Sequence, residues 1–199
     1  MSGSGPAAQP KGEPLHAGGV HCVVRPLRSD DESRLREFFQ SHSRETVQAR
    51  YGYMIGTMTR ERARSLVNVD QVRDVALGVF EGPEGDQVLH AVGRYYTEGD
   101  GGGAEVAFVV RESKRDMGLA TLLLRRLASV AVGRGLTRFV ALVLRDNRPM
   151  RRIFDRYRPV VAPETGSDCL RYEIPIDGIL AKNAPISSNS AERKTQRGP

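Results

Sequence analysis

The feature that most limits how this chain can fold is one junction. A valine-rich run, Ala104–Val110 (Ala-Glu-Val-Ala-Phe-Val-Val), leads through Arg111-Glu112-Ser113-Lys114-Arg115-Asp116-Met117-Gly118 into a segment with apolar side chains at Ala120, Leu123, Leu124, Leu127 and Ala131. The valines suit an extended strand. The later spacing, i, i+3, i+4, i+7, i+11, is one stripe of an amphipathic helix. Gly133-Arg134-Gly135 supplies its C-terminal stop. A strand is therefore predicted to hand over to a helix through a tight turn.

Such a junction favours an anion. The first turn of a helix carries backbone N–H groups with no intrahelical partner and about half a positive charge. Gly118 and Ala120 keep the backbone bare, so a phosphate could approach those amides. Lys114 and Arg115 add formal positive charge beside them.

The chain has 199 residues, enough for one domain with a substantial core. Its net charge is +6 and arginine supplies most of the excess, part of it in the last residues (Arg193, Lys194, Arg197). A basic surface attracts phosphate-bearing ligands, acidic protein surfaces or nucleic acid. With no tryptophan and 6% aromatic residues, a base-stacking surface for nucleic acid is disfavoured. Cys22 and Cys169 lie far apart without Cys-x-x-Cys spacing, and His16, His21, His42 and His90 show no ligand spacing, so no disulfide and no metal site is predicted. No apolar run approaches the ~18 residues of a membrane span, and Met1–Gly19 lacks the apolar core of a secretory signal. The predicted setting is cytoplasmic, with no membrane partner.

Residues 1–19 are rich in Gly, Pro, Ser and Ala and read as a disordered leader. Val20–Leu27 reads as the first strand, with Pro26 marking an edge or a strand end. Ser29-Asp30-Asp31-Glu32 starts a helix that buries Leu35, Phe38 and Phe39. A second helix is predicted from Ser43 through Met54, carrying Arg50 and Tyr51, and a third from Thr59 to about Val67. Val72–Phe80 and Gln87–Thr97 read as antiparallel strands joined at Gly82-Pro83-Glu84-Gly85-Asp86. Beyond the central helix, Phe139–Leu144 is apolar on both faces and fits an interior strand parallel to the one before the helix. Asn147-Arg148-Pro149 opens a short helix, and Val160–Val161 with Cys169–Ile176 close the sheet. The domain is thus placed at 20–176, with 177–199 a flexible basic tail.

Arg115-x-x-Gly118-x-Ala120 after a strand resembles the pyrophosphate loop of the GNAT N-acetyltransferases, and the order of elements from Val20 to Ile176 matches their layout. Ser43-x-Glu45-Thr46, Arg50-Tyr51, Val69-Asp70, Ala104–Val110 and Leu144–Met150 look like the Pat-type bacterial protein lysine acetyltransferases within that superfamily. The resemblance implies an α/β fold: a mixed, twisted β-sheet with helices on both faces and a V-shaped opening between two central parallel strands. It implies acetyl-CoA as co-substrate and no metal. The acceptor would be a protein with an accessible lysine, or a small amine.

The same resemblance implies roles for individual residues. Glu105 becomes the general base that takes a proton from the attacking amine; without it, Glu105 is an exposed acid beside a glycine-rich turn. Phe108, Val109 and Val110 would hold the pantetheine arm and acetyl carbonyl through their backbone groups. Arg115, Asp116, Met117, Gly118, Leu119, Ala120 and Thr121 would embrace the pyrophosphate. Asn147 caps its helix, contacts the pantetheine side, or does both. Asp70 either attracts a basic side chain or ends a helix.

The pattern is broken at three places. Asp116 and Met117 stand where glycine and a basic residue are usual, so an acid faces the phosphates unless it points away and Lys114 compensates. Phe154 replaces a tyrosine that protonates the departing thiolate, leaving Tyr157 as a substitute or a core residue. Arg158-Pro159 replaces the usual Gly-Phe. A non-catalytic sensor of acyl-CoA and a basic nucleic-acid module stay as alternatives.

Overall fold

The structure, a computed structural model, describes residues 13–17, 20–43, 58–99 and 102–181. Eight strands form one sheet: β1 (Glu13–Ala17), β2 (Val20–Pro26), β3 (Val75–Glu81), β4 (Val88–Glu98), β5 (Gly103–Val110), β6 (Arg138–Leu144), β7 (Val160–Pro163) and β8 (Cys169–Pro175). Their order is β1-β2-β3-β4-β5-β6-β8-β7. Every neighbouring pair is antiparallel except β5 and β6. The described helices are α1 (Glu32–Gln40), α2 (Arg60–Val67), α3 (Leu119–Val132), α4 (Arg148–Phe154) and α5 (Ile176–Ala181).

The predicted central junction is present. The valine-rich run is β5, and the stripe of leucines becomes α3, with Leu119, Leu123, Leu124, Leu127, Ala128 and Ala131 all buried. These side chains fill a core between α3 and one face of the sheet, shared with Val106, Phe108, Phe139, Phe154 and Ile179. Burial of each such leucine contributes roughly 1.5–3 kcal/mol. Gly93 on β4 lets α3 lie close, since a Cβ there would come within 3.0 Å of Leu123 and Phe108. On the other face, Leu35, Phe38 and Phe39 of α1 and Ala63 and Val67 of α2 pack on Ala76, Val92 and Val109.

Both ends of the domain differ from the reading of composition. Part of the segment read as a leader, Glu13–Ala17, is a strand paired antiparallel with Val20–Val24. Backbone pairing across a sheet edge needs no apolar side chains, so composition does not register it, and the pairing covers what would otherwise be the free edge of β2. Pro26 is the last residue of β2, as a strand end requires. At the other end, Ile176 begins a helix instead of finishing a strand, and Ile176 and Ile179 are buried one turn apart. The helix predicted from Ser43 through Met54 lies, past Ser43, outside the described residues.

The feature that shapes the site is a parting of strands. β5 and β6 pair only at Gly103↔Arg138, Ala104↔Phe139 and Glu105↔Val140. Beyond that rung β5 continues on β4 as far as Val110, and β6 continues on β8 as far as Leu144. A V-shaped opening results, with Glu105 at its apex.

Candidate active site

At the open end of the V, β5 runs into the turn that starts α3. The Arg111 N–H donates to the His90 carbonyl (2.8 Å) and the Lys114 N–H to the Arg111 carbonyl (2.8 Å), which closes a single helical turn over Glu112–Lys114. Arg115 is extended, then Asp116 (φ 62°) and Gly118 (φ 78°) turn left-handed. Glycine takes that conformation without steric cost, and aspartate is among the few other residues that tolerate it. The α3 ladder begins with the Leu122 N–H donating to the Gly118 carbonyl (3.0 Å), so the amides of Leu119, Ala120 and Thr121 precede it.

A Cβ placed on Gly118 would meet no atom within 4 Å, so the space beside Gly118, at the start of these amides, is open. Leu119 and Ala120 turn their side chains into the core, and Met117 packs against it, half-buried. Thr121 is half-buried, while Arg115 and Asp116 are exposed. Arg115 lies 3.6 Å from Glu112. The bare backbone, the left-handed glycine and the helix start together fit a diphosphate.

Lys114 does not offset Asp116. Its ammonium donates to Glu81 Oε2 (3.0 Å), an oxygen that also lies 2.6 Å from His90 Nε2. The Lys114 hydrogen bond, with a smaller contribution from His90, holds the Glu81 carboxyl below the usual carboxylate range. Cross-strand pairing brings Glu81 beside His90, which lies at an irregularity in the β3–β4 register, and the turn after β5 adds Lys114, a grouping that sequence distance hides.

At the apex, Glu105 is exposed and stands opposite Tyr96 on β4 and Val140 on β6. Alternation along β5 sends Val106 and Phe108 toward α3, and Glu105, Ala107 and Val109 to the face that carries α1 and α2. Phe108 and Val109 are buried and Val110 is half-buried. From Val106 to Val110 the edge of β5 toward β6 has no ladder partner among the described residues, so its backbone groups line the opening. His42, just past α1, steadies the far end: its Nδ1 is 2.6 Å from the Phe38 carbonyl and its Nε2 3.3 Å from that of Val110. Sequence reading gave His42 no role, because nothing but the fold brings it to β5.

Asn147 caps α4, its side-chain oxygen accepting from the Met150 N–H (3.2 Å). That leaves the amide nitrogen as a donor for other work. Phe154 is buried between Phe108 and Tyr172, ring centroids 6.3 and 5.7 Å away, and is a core residue. Tyr157 is buried as well. Arg158 takes the left-handed conformation (φ 51°) in which a glycine is usual. Asp70 accepts from the N–H groups of Val72, Arg73 and Asp74 at 2.8, 2.9 and 3.0 Å, which lowers its pKa and makes it the organiser of the turn after α2. Arg50 and Tyr51 fall outside the described residues. Two residues the sequence did not flag, Arg94 and Tyr96, share the face of Glu105, with Arg94 donating to the Tyr96 hydroxyl (2.9 Å).

Among the described residues no group of three or more His, Cys, Asp or Glu side chains could hold a metal, and no helix is long and apolar enough to cross a membrane.

Comparison with known proteins agrees with this geometry. The family model described as an acetyltransferase (GNAT) domain matches residues 21–158. The chain is 32% identical over 139 residues to the acetyltransferase Pat of Mycolicibacterium smegmatis, covering 69% of this chain and 41% of that protein. It is 26% identical over 133 residues to acetyltransferase PA5475 of Pseudomonas aeruginosa, covering 67% of this chain and 72% of that one. Among solved structures, the GNAT domain of S. lividans PAT superposes with a TM-score of 0.73 at 28% identity, covering 82% of this chain and 96% of that domain. A cAMP-binding acyltransferase from Mycobacterium smegmatis gives 0.58 at 27% identity, covering 85% of this chain and 52% of the other. The chain therefore spans less than half of the Pat relative and about half of the cAMP-binding one. With its profile match, its parted parallel strands and its open glycine-led helix start, the chain belongs to the GNAT family, acetyltransferases that use acetyl-CoA as co-substrate.

Proposed function

We propose that this chain transfers acetyl from acetyl-CoA to the ε-amine of a protein lysine, with Glu105 as general base, in the cytoplasm. The observation that carries the reading is the pairing of two features at opposite ends of β5. An open, left-handed Gly118 stands before free helix amides at one end. An exposed carboxylate stands at the last β5–β6 rung at the other. Lysine as acceptor rests on the likeness to the Pat-type acetyltransferases.

Acetyl-CoA, when bound, supplies an acetyl group activated as a thioester. The amides of Leu119, Ala120 and Thr121 would hold its diphosphate, and the backbone of Phe108–Val110 its pantetheine arm. A lysine amine, of pKa near ~10.4, is almost wholly protonated at neutral pH and must lose a proton before it attacks. Glu105 accepts that proton, directly or through one water. Phe154 has no proton to give, and an ordinary thiol of pKa ~8.5 needs none to depart.

Two substitutions test the reading. Gly118→Glu should abolish acetyl-CoA binding in calorimetry. Glu105→Gln should keep that binding and lose thiol release with an acceptor present; undiminished release would remove Glu105 from the mechanism. Newly acetylated lysines in a lysate given the protein and acetyl-CoA identify the acceptor, and a small-amine screen separates the same chemistry on a metabolite. One observation favours a non-catalytic acyl-CoA sensor: an exposed Asp116 stands in the loop while Lys114 is engaged by Glu81. Tight binding without thiol release for any acceptor would establish that reading.

A further inference from the structure

Two arginines of the described residues are buried, and the fold treats them differently. Arg25 is enclosed as a structural ion: Nη1 and Nη2 donate to the two oxygens of Asp31 at 2.7 and 2.8 Å, and its guanidinium lies 3.7 Å over the Phe80 ring. Arg94 is 3% exposed and has no carboxylate. Its Nη1 donates to the Tyr96 hydroxyl, and its Nη2 is buried with no hydrogen-bond partner. A buried cation left without a carboxylate is costly.

The place of Arg94 gives that orphan a purpose. It stands opposite Ala107 on β5 and Ala76 on β3, two small side chains. Directly opposed residues share a face, so Arg94 projects on the same side as Glu105, Ala107 and Val109, two rungs along from the Tyr96↔Glu105 pair. Ala107 is half-buried and adds no bulk at this point. Arg94 therefore lies on β4, one strand in from the opening, on the face of Glu105 and level with Ala107, between the proposed base and the part of β5 proposed to hold the acyl group.

We infer that Arg94 is a specificity-determining residue whose Nη2 pairs with a carboxylate carried by one of the two reactants. This rests on the proposed placement of the reaction at Glu105. The carboxylate has two sources: the far end of a dicarboxylic acyl group on coenzyme A, or the acceptor that bears the amine. Binding of either completes the pairing that Asp31 gives Arg25, with no bond made or broken.

Two matched pairs decide the matter on the full chain, read by binding so that turnover is not required. The first pair is succinyl-CoA against acetyl-CoA, titrated by calorimetry. The second is Nα-acetyl-lysine against its carboxamide, followed by ligand-observed NMR on protein saturated with coenzyme A. In one pair the carboxylate-bearing member should bind about tenfold more tightly, the size expected of a charge-assisted bond to a buried guanidinium. Arg94→Gln and Arg94→Met should erase that preference while still binding acetyl-CoA, and thermal melts followed by circular dichroism report whether each variant is folded. Affinities equal within about twofold in both pairs for the wild-type chain overturn the inference without recourse to any variant. A preference that survives in a folded variant overturns it as well. Absence of thiol release with every acceptor counts against the catalytic reading instead, because the affinities do not depend on it.

Discussion

Two left-handed residues carry separate consequences at the scale of single side chains. Asp116 occupies φ 62° in the loop. Asparagine keeps the tolerance for that conformation and removes the charge, so Asp116→Asn isolates electrostatics from backbone strain. It should tighten coenzyme A binding several-fold at low ionic strength, and the gain should shrink as salt screens the exposed charge. Unchanged affinity at low salt would mean the carboxylate points away from the diphosphate. Arg158 has the opposite lesson. Its φ of 51° costs a non-glycine residue about 1–2 kcal/mol, while glycine loses about 0.4–1 kcal/mol through the entropy of the unfolded chain. Arg158→Gly should therefore raise stability slightly, by about 0.5–1 kcal/mol in a urea melt, with coenzyme A affinity unchanged. The sequence showed that both positions lack the usual glycine. It could not show that the backbone keeps the glycine conformation regardless, because the sign of φ is set by the closure of β5 onto α3 and of α4 onto β7.

The fit of α3 to the sheet explains what was legible among the elements. A stripe at i, i+3, i+4, i+7 and i+11 has one solution, a helix with one buried side, and the burial of Leu123, Leu124 and Leu127 agrees. The same logic found β5 and β6, whose valines leave little room for another reading. Contacts that depend on register were not legible. Arg94 and Tyr96 share a face as i and i+2 of β4, but that face is also Glu105's, and Glu81 meets His90, only because particular rungs align. A shift of one residue would send each side chain to the other face. The strand Glu13–Ala17 escaped for a related reason, since a ladder of backbone bonds leaves no hydrophobic trace. Close approach of α3 has its own test. Gly93→Ala would put a methyl group 3.0 Å from Leu123 and Phe108, contacts in a packed interior that cannot yield freely. Overpacking of this kind costs about 1–3 kcal/mol. The denaturation midpoint should fall accordingly, and coenzyme A affinity should weaken with it because β5 and α3 are displaced together.

At the scale of the whole molecule, the charged and titratable groups set a window of pH in which the fold is most stable. Burial lowers the pKa of both His42 and His90, against the pull of the carbonyls beside His42 and of Glu81 beside His90. An unfolded histidine gains its proton near ~6.5. The unfolded chain therefore binds more protons than the folded one below that point, and stability falls as pH drops. The carboxyl groups of Glu81 and Asp70, held low by Lys114 and by backbone amides, add a second loss further down, as pH falls below about 4. On the alkaline side the direction reverses. Burial raises the Cys22 thiol and the Tyr95 phenol, so the unfolded chain releases those protons first, from about 8.5 upward, and stability falls as pH rises. Urea midpoints should form a plateau between roughly pH 6.5 and 8.5 with a decline on either side. His42→Gln and His90→Gln together should flatten the first acidic decline and leave the one below pH ~4 in place, since the carboxyl groups remain. A midpoint that holds or climbs between pH 7 and pH 5 would show that the two imidazoles are protonated inside the fold. In that case the carbonyls of Phe38 and Val110 and the carboxylate of Glu81 outweigh burial, and the end of β5 is held by a charge.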